Sequence, residues 1–217
     1  MKRITVIAGH FGSGKTEFAV NFAFRLKQQF EKVTIVDLDT VNPYFRTKDA
    51  KAALLDAGIN VIVPEFANSN LDIITIPPEV LSVFADESCH AILDVGGDDE
   101  GATVLGMFNR YLMESGYEMY FVHNSKRPFT GSVDDTIEMM NAIEYSSRLK
   151  FTGIVSNSNL MELTTPEIVS EGEKLTLEVS DKTGIPVKFI ASTPENSGLI
   201  INKDRFFKLD FYIKKPF

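Results

Sequence analysis

Eight residues near the start of the chain, Gly9-His10-Phe11-Gly12-Ser13-Gly14-Lys15-Thr16, place glycines, an ammonium and a hydroxyl at the spacing Gly-x-x-x-x-Gly-Lys-Thr. That order suits a polyphosphate. Glycines adopt backbone angles closed to other residues, so consecutive N–H groups can turn inward and form a concave anion cradle. Residues His10, Phe11, Gly12, Ser13, Gly14, Lys15 and Thr16 are therefore the candidate phosphate-binding set. Lys15 would carry a full charge to the outer phosphates, and the Thr16 hydroxyl is a hard oxygen ligand for Mg²⁺. A lysine at a helix start otherwise opposes the helix dipole, which makes an intervening anion the better reading of Lys15. His10 either donates a hydrogen bond when protonated or is simply tolerated in the loop.

A metal–triphosphate site also needs carboxylates. Ile35-Val36-Asp37-Leu38-Asp39 ends one apolar run with two acids on the same side of a pleat, and Ile92-Leu93-Asp94-Val95-Gly96-Gly97-Asp98 ends another with an acid and two glycines. Asp94 reads as the Walker B carboxylate. Gly96 and Gly97 are a candidate hinge with a backbone N–H for the terminal phosphate, while Asp98, Asp99 and Glu100 read equally as metal-side acids or as the solvated cap of a helix.

The elements that must position these groups alternate in type along the chain. Short β-branched runs (Ile4 to Ala8, Val33 to Asp37, Ala91 to Val95, Tyr117 to His123, Phe151 to Ser156, Val187 to Ala191) are separated by helical periods near Gly101 to Glu114, Ser132 to Leu149 and Pro166 to Lys182. In the first helix Phe18, Phe22, Leu26 and Phe30 recur at four-residue steps. Strands apolar at every position are covered on both faces and are mostly parallel. The fold class is therefore α/β, a three-layer, doubly wound, mostly parallel sheet with helices on both faces and its ligand at the carboxyl ends of the strands. Between Asn42 and Phe84 a helix near Lys48 to Ala57 and a strand at Val61 to Val63 are expected, with no topology assigned.

With 217 residues, 44% of them hydrophobic and 24% charged, the chain reads as one folded domain spanning 1–217. Its formal net charge of −8 argues against general nucleic-acid or anionic-membrane binding. The lone cysteine, Cys89, rules out an intrachain disulfide and fits a cytoplasmic protein. Met1 to Ala8 reads as a strand rather than a leader, and no apolar run is long enough to cross a membrane.

Taken together, the phosphate loop, Asp37-Leu38-Asp39, Asp94-x-x-Gly97 and Gly153-Ile154-Val155-Ser156-Asn157-Ser158-Asn159 resemble the MinD/ParA-like branch of SIMIBI-type P-loop proteins, which includes partitioning ATPases and the nitrogenase iron protein. The resemblance implies an ATP- and Mg²⁺-dependent hydrolase that dimerises. It implies that Asp39 orients or activates the attacking water, that Thr16, Asp39 and Asp94 serve the metal, and that Asn157 and Pro194 hold the adenine. Lys15 and Asp39 would be the catalytic pair. Where this branch often carries a signature lysine, this chain has His10, which puts catalysis across a dimer in doubt. The cluster cysteines of the iron protein are also absent. Guanine-reading Asn-Lys-x-Asp is not found, which favours adenine, although Asn157 also reads as an ordinary turn residue.

The segment Thr40 to Lys48 follows the acids directly, so Asp37, Asn42, Arg46, Gly97 and Asp98 are candidate switch residues; a plain turn with Tyr44 and Phe45 packed inward is the alternative. The aromatic and basic stretch Arg205 to Phe217 reads as a terminal strand or packing arm. The functional expectation is a slow ATPase working as a nucleotide-dependent switch on an unidentified client. Two alternatives stay open: an ATP-dependent kinase or ligase acting on a small acceptor, and an ATP sensor that does not hydrolyse.

Overall fold

The computed structural model describes residues 1–39, 47–63 and 78–212, with the backbone path alone for 47–49 and 98–100. The strands are β1 (Ile4–Ala8), β2 (Val33–Leu38), β3 (Asn60–Ile62), β4 (His90–Val95), β5 (Tyr117–His123), β6 (Gly153–Ser156), β7 (Val187–Ser192) and β8 (Phe206–Lys208). They form one sheet in the order β3-β2-β4-β1-β5-β6-β7-β8, with every pairing parallel. The α/β expectation therefore holds, and the mostly parallel sheet is wholly parallel among the described residues.

Its two faces follow from the period of two along each strand. Ile4, Val6 and Ala8 of β1 enter one apolar cluster with Leu93, Phe108 and Phe121, while Ile7 enters the other with Phe18, Phe22 and Leu26. The second cluster is roofed by α1 (Lys15–Lys27) and α2 (Thr47–Asp56), and the first by α3 (Pro78–Ala85), α4 (Asp98–Met107), α5 (Asn109–Ser115), α6 (Val133–Ser147) and α7 (Pro166–Thr183). The expected four-residue stripe on α1 is thus the face that packs on the sheet.

Three details differ from the sequence reading. The helix expected from Gly101 to Glu114 starts earlier and is two helices, broken at the buried Phe108. Helix α3 was not foreseen, because its apolar residues lie close behind the proline-rich stretch. The tail contributes β8, which pairs with β7 and carries Phe207 against Phe18 at 4.9 Å between ring centroids. Asn42 and Arg46, with the rest of 40–46, lie outside the described residues, as do 64–77 and 213–217. No described helix is long and apolar enough to cross a membrane.

The chain leaves β1 for β2 and β3 on one side, returns to insert β4 between β2 and β1, and then continues through β5 on the other side. This reversal makes a crevice beyond the carboxyl ends of β1, β4 and β5, the place where open α/β sheets bind ligands.

Candidate functional site

The loop from Gly9 to Gly14 fills that crevice. Gly9, Gly12 and Gly14 have φ of 150°, 73° and 87°. At Gly9 a side-chain carbon would stand 2.6 Å from the Val122 carbonyl oxygen of β5, so the close approach of the two strands requires glycine there. Side chains from outside tie the loop's carbonyls: Lys15 Nζ donates to His10 O at 3.1 Å, Arg127 Nε to Gly12 O at 2.9 Å, and Asn157 Nδ2 to Ser13 O at 2.8 Å. In a trans peptide the N–H points opposite to the C=O, so fixing the Ser13 carbonyl on Asn157 aims the Gly14 N–H the other way.

Helix α1 then begins on Gly14 with no side-chain cap, unlike α6 and α7, where Ser132 and Thr165 accept from Asp135 N and Ile168 N. An uncapped first turn leaves backbone donors and the positive end of the helix dipole for an anion.

The acids lie beside the loop. Asp37 on β2 and Asp94 on β4 are register partners on neighbouring strands, and Asp94 is also the partner of Ile7 on β1. Lys15 and Asp94 are 4% and 1% exposed. Thr16 donates a hydrogen bond to Asp94, yet Asp94 Oδ1 remains a buried acceptor with no hydrogen-bond partner. Burial, and then the negative charge of Asp37, push the Asp94 carboxyl up to about 7; Thr16 and Lys15 pull the other way, and Asp39 adds to the rise. Asp39 is half-buried at the end of β2, its N–H bonded to Asp37 Oδ1 at 3.0 Å. A side-chain carbon on Gly96 would stand 3.1 Å from Asp39 Oδ1, and one on Gly97 would stand 2.8 Å from Phe11 N. The two glycines therefore let the end of β4 touch both Asp39 and the phosphate loop. Asp98 begins α4, and its side chain is outside the described set.

On the opposite flank the segments after β5 and β6 are joined by polar contacts. Asn124 Nδ2 donates to Asn159 O at 3.1 Å while Asn124 Oδ1 accepts from the N–H groups of Lys126 and Asn159. Pro194 opens a 3₁₀ turn directly after β7. The loop beyond it is clamped by Glu173 of α7, 0% exposed, which accepts from Ile201 N, Asn202 N and Asn202 Nδ2 at 2.8 Å each. Glu173→Ala would strand two backbone N–H groups, so the variant is expected to lose roughly 3 kcal/mol of unfolding free energy. Denaturant titration of the two proteins measures that loss.

His123 ends β5 as a fully buried ring. Its Nε2–H donates to Thr130 O at 2.9 Å, because a carbonyl can only accept, and Nδ1 accepts from the Thr176 hydroxyl at 2.7 Å. Burial holds its pKa down to about 4, only partly offset by the Thr130 bond. The folded state thus favours neutral imidazole: the contribution is complete above the unfolded value of about 6.5 and is lost as pH falls towards 4, about 3 kcal/mol in all. His123→Asn should therefore lose about 2 kcal/mol less stability than wild type between about pH 7.5 and 4.5 in paired denaturant titrations.

Solved structures share this arrangement of elements. Chloroplast FtsY from Physcomitrella patens superposes with a TM-score of 0.58 at 16% identity over 87% of this chain. FtsY from Thermotoga maritima does so with 0.58 at 18% identity over 87%, and FtsY from Elizabethkingia anophelis in complex with GDP with 0.57 at 17% over 87%. The chain is a P-loop domain in fold. It spans only 58%, 61% and 57% of those proteins. The sequence matches no family model and no curated protein. The likeness reaches P-loop folds of the FtsY kind and does not single out the MinD/ParA-like branch.

Within this P-loop domain the sequence-predicted Lys15, Thr16, Asp37, Asp39, Asp94 and Gly97 come together at one loop. Asn157 lies there too, bonded to the loop backbone rather than standing at a distance from it. Among the described residues no three His, Cys, Asp or Glu side chains form a metal cage. Mg²⁺ carried by a triphosphate needs no such cage, since one hydroxyl and a carboxylate acting through water suffice beside the phosphate oxygens. The orphaned Asp94 Oδ1 next to Thr16 fits that demand. Two hollows of about 430 and 550 Å³, beside α6 and α7 and beneath Tyr212, lie away from the loop and lack its chemistry. Arg127, His123 and Glu173 were missed by sequence reasoning. Arg127 and His123 follow or end a strand already predicted, so their place at the carboxyl edge was the available signal; Glu173 sits mid-helix and gave none.

Proposed function

We propose that this chain is a Mg²⁺-dependent ATP-binding protein of the MinD/ParA-like branch, a slow ATPase whose triphosphate and diphosphate states differ in the loops after Asp39 and Asp94. The observation that carries the reading is the contact of three strand ends at one loop: Gly96 against Asp39, Gly97 against Phe11, and Asp94 on Thr16. A change at the terminal phosphate is then felt by both acid-bearing segments without any long-range relay.

In this reading His10 to Thr16 cradle the phosphates, and Lys15 neutralises the developing charge. Thr16 and Asp94 would hold Mg²⁺, directly and through water, and the bound metal supplies charge neutralisation on the outer phosphates. Asp39 orients the attacking water. Asn157 and Pro194 flank the adenine, with Asn157 also steadying Ser13. The exposed rings of Phe11 and Phe129 beside the loop support a homodimer closing over the nucleotide. A cytoplasmic site is consistent with the single buried thiol of Cys89.

Titrating purified protein with ATP and GTP in the presence of Mg²⁺, and following phosphate release, tests the proposal. ATP binding with slow release of inorganic phosphate supports it. GTP preference overturns the base assignment, and binding of neither overturns the function.

A further inference from the structure

Arg127 stands in the loop after β5, half-buried, and its guanidinium lies against the phosphate loop. Besides the bond to Gly12 O, a side-chain carbon on Gly12 would meet Arg127 Nε at 3.3 Å and Cζ at 3.5 Å. The root of the arginine is held firmly. Arg127 N donates to Asn124 O at 3.2 Å, the Thr130 hydroxyl donates to the same carbonyl at 2.8 Å, and Ser125 N donates to Ser158 Oγ at 2.9 Å. The neighbouring Lys126 gives its charge to Glu171 at 2.9 Å, whereas among the described residues Arg127 has no carboxylate partner.

A guanidinium carries five N–H donors, and Nε uses one of them here, so both terminal nitrogens keep theirs. Arg127 thus brings a permanent positive charge to the same loop that the Lys15 side chain bonds, in a chain whose net charge is −8. An anion seated at the loop would meet this guanidinium as well as the Lys15 ammonium, and charge-assisted bonds to phosphate oxygens are the stronger kind.

We propose that Arg127 is a phosphate-contacting residue supplied from within the chain, which grips the terminal phosphates of the bound nucleotide and sets a preference for triphosphate over diphosphate. The planar fork matches phosphate oxygens in a way that the compact ammonium of Lys15 does not. Its tie to Gly12 presets the approach, so little side-chain freedom is lost on binding. The inference rests on the phosphate-loop reading above.

The test compares wild type, Arg127→Ala, Arg127→Lys and Lys15→Ala for affinity towards Mg²⁺–ATP and ADP by fluorescent-nucleotide displacement, with melting of the ligand-free proteins alongside. Arg127→Ala is expected to weaken ATP by about ten-fold or more and ADP by less than about three-fold, with Arg127→Lys recovering part of the loss. Equal losses for both nucleotides, tracking a lowered melting temperature, would make Arg127 a brace for Gly12 and overturn the proposal; so would unchanged affinity for both. If Lys15→Ala also leaves binding intact, the phosphate-loop reading itself fails, which keeps the two failures distinct.

Discussion

Lys15→Ala is expected to weaken nucleotide binding by roughly a hundred- to a thousand-fold, the equivalent of about 3 to 4 kcal/mol. The ammonium sits almost wholly out of water, across the loop from the His10 carbonyl and near Asp94. In that position its attraction for phosphate oxygens is screened far less than on the surface. Alanine also removes the positive charge that restrains Asp94, so the remaining carboxylates face an incoming triphosphate with less compensation. The ligand-free variant should still fold, because the apolar face of α1, from Phe18 to Leu26, is untouched. Melting curves separate the two effects. Saturating Mg²⁺–ATP should raise the melting temperature of wild type and leave that of the variant unchanged. A variant that ATP stabilises as well as it does wild type would remove the phosphate loop as the binding site.

The shape of the loop was legible because local rules fix it: Gly-x-x-x-x-Gly-Lys-Thr after a strand of buried β-branched residues admits few other conformations. The same holds for Asp37 and Asp94, whose meeting needs only two parallel strands with aligned carboxyl ends, and the register pairs them directly. What the sequence concealed depends on distance along the chain. Arg127 reaches Gly12 across 115 positions, and Asn157 reaches Ser13 across 144, so no periodicity records either contact. Glu173 was hidden for a different reason. A glutamate within a helix ordinarily faces water, and only the packing of α7 against the segment after β7 turns this one inward to accept three N–H donors. The break at Phe108 has a similar origin, since a large ring buried in the core outweighs the continuous helical period that the sequence displays.

Asp39→Ala should separate binding from turnover. General-base or water-orienting carboxylates contribute about a hundred- to ten-thousand-fold to rate, so phosphate release is expected to fall by that order. Binding should hold or tighten slightly. Asp39 is fixed through its backbone N–H on Asp37 Oδ1, a bond that alanine keeps, so the end of β2 stays in place when the carboxyl is removed. The loss of one negative charge also relieves Asp94, whose ionisation Asp39 opposes, and leaves the crevice less repulsive to a triphosphate. Single-turnover hydrolysis and equilibrium ATP titration on the same preparation read the two quantities. Unchanged hydrolysis would show that another group activates the water. Loss of ATP binding together with hydrolysis would place Asp39 in the ground-state metal site instead, and the kinetics would then recover at high Mg²⁺, because a weakened metal site refills by mass action whereas a missing base does not.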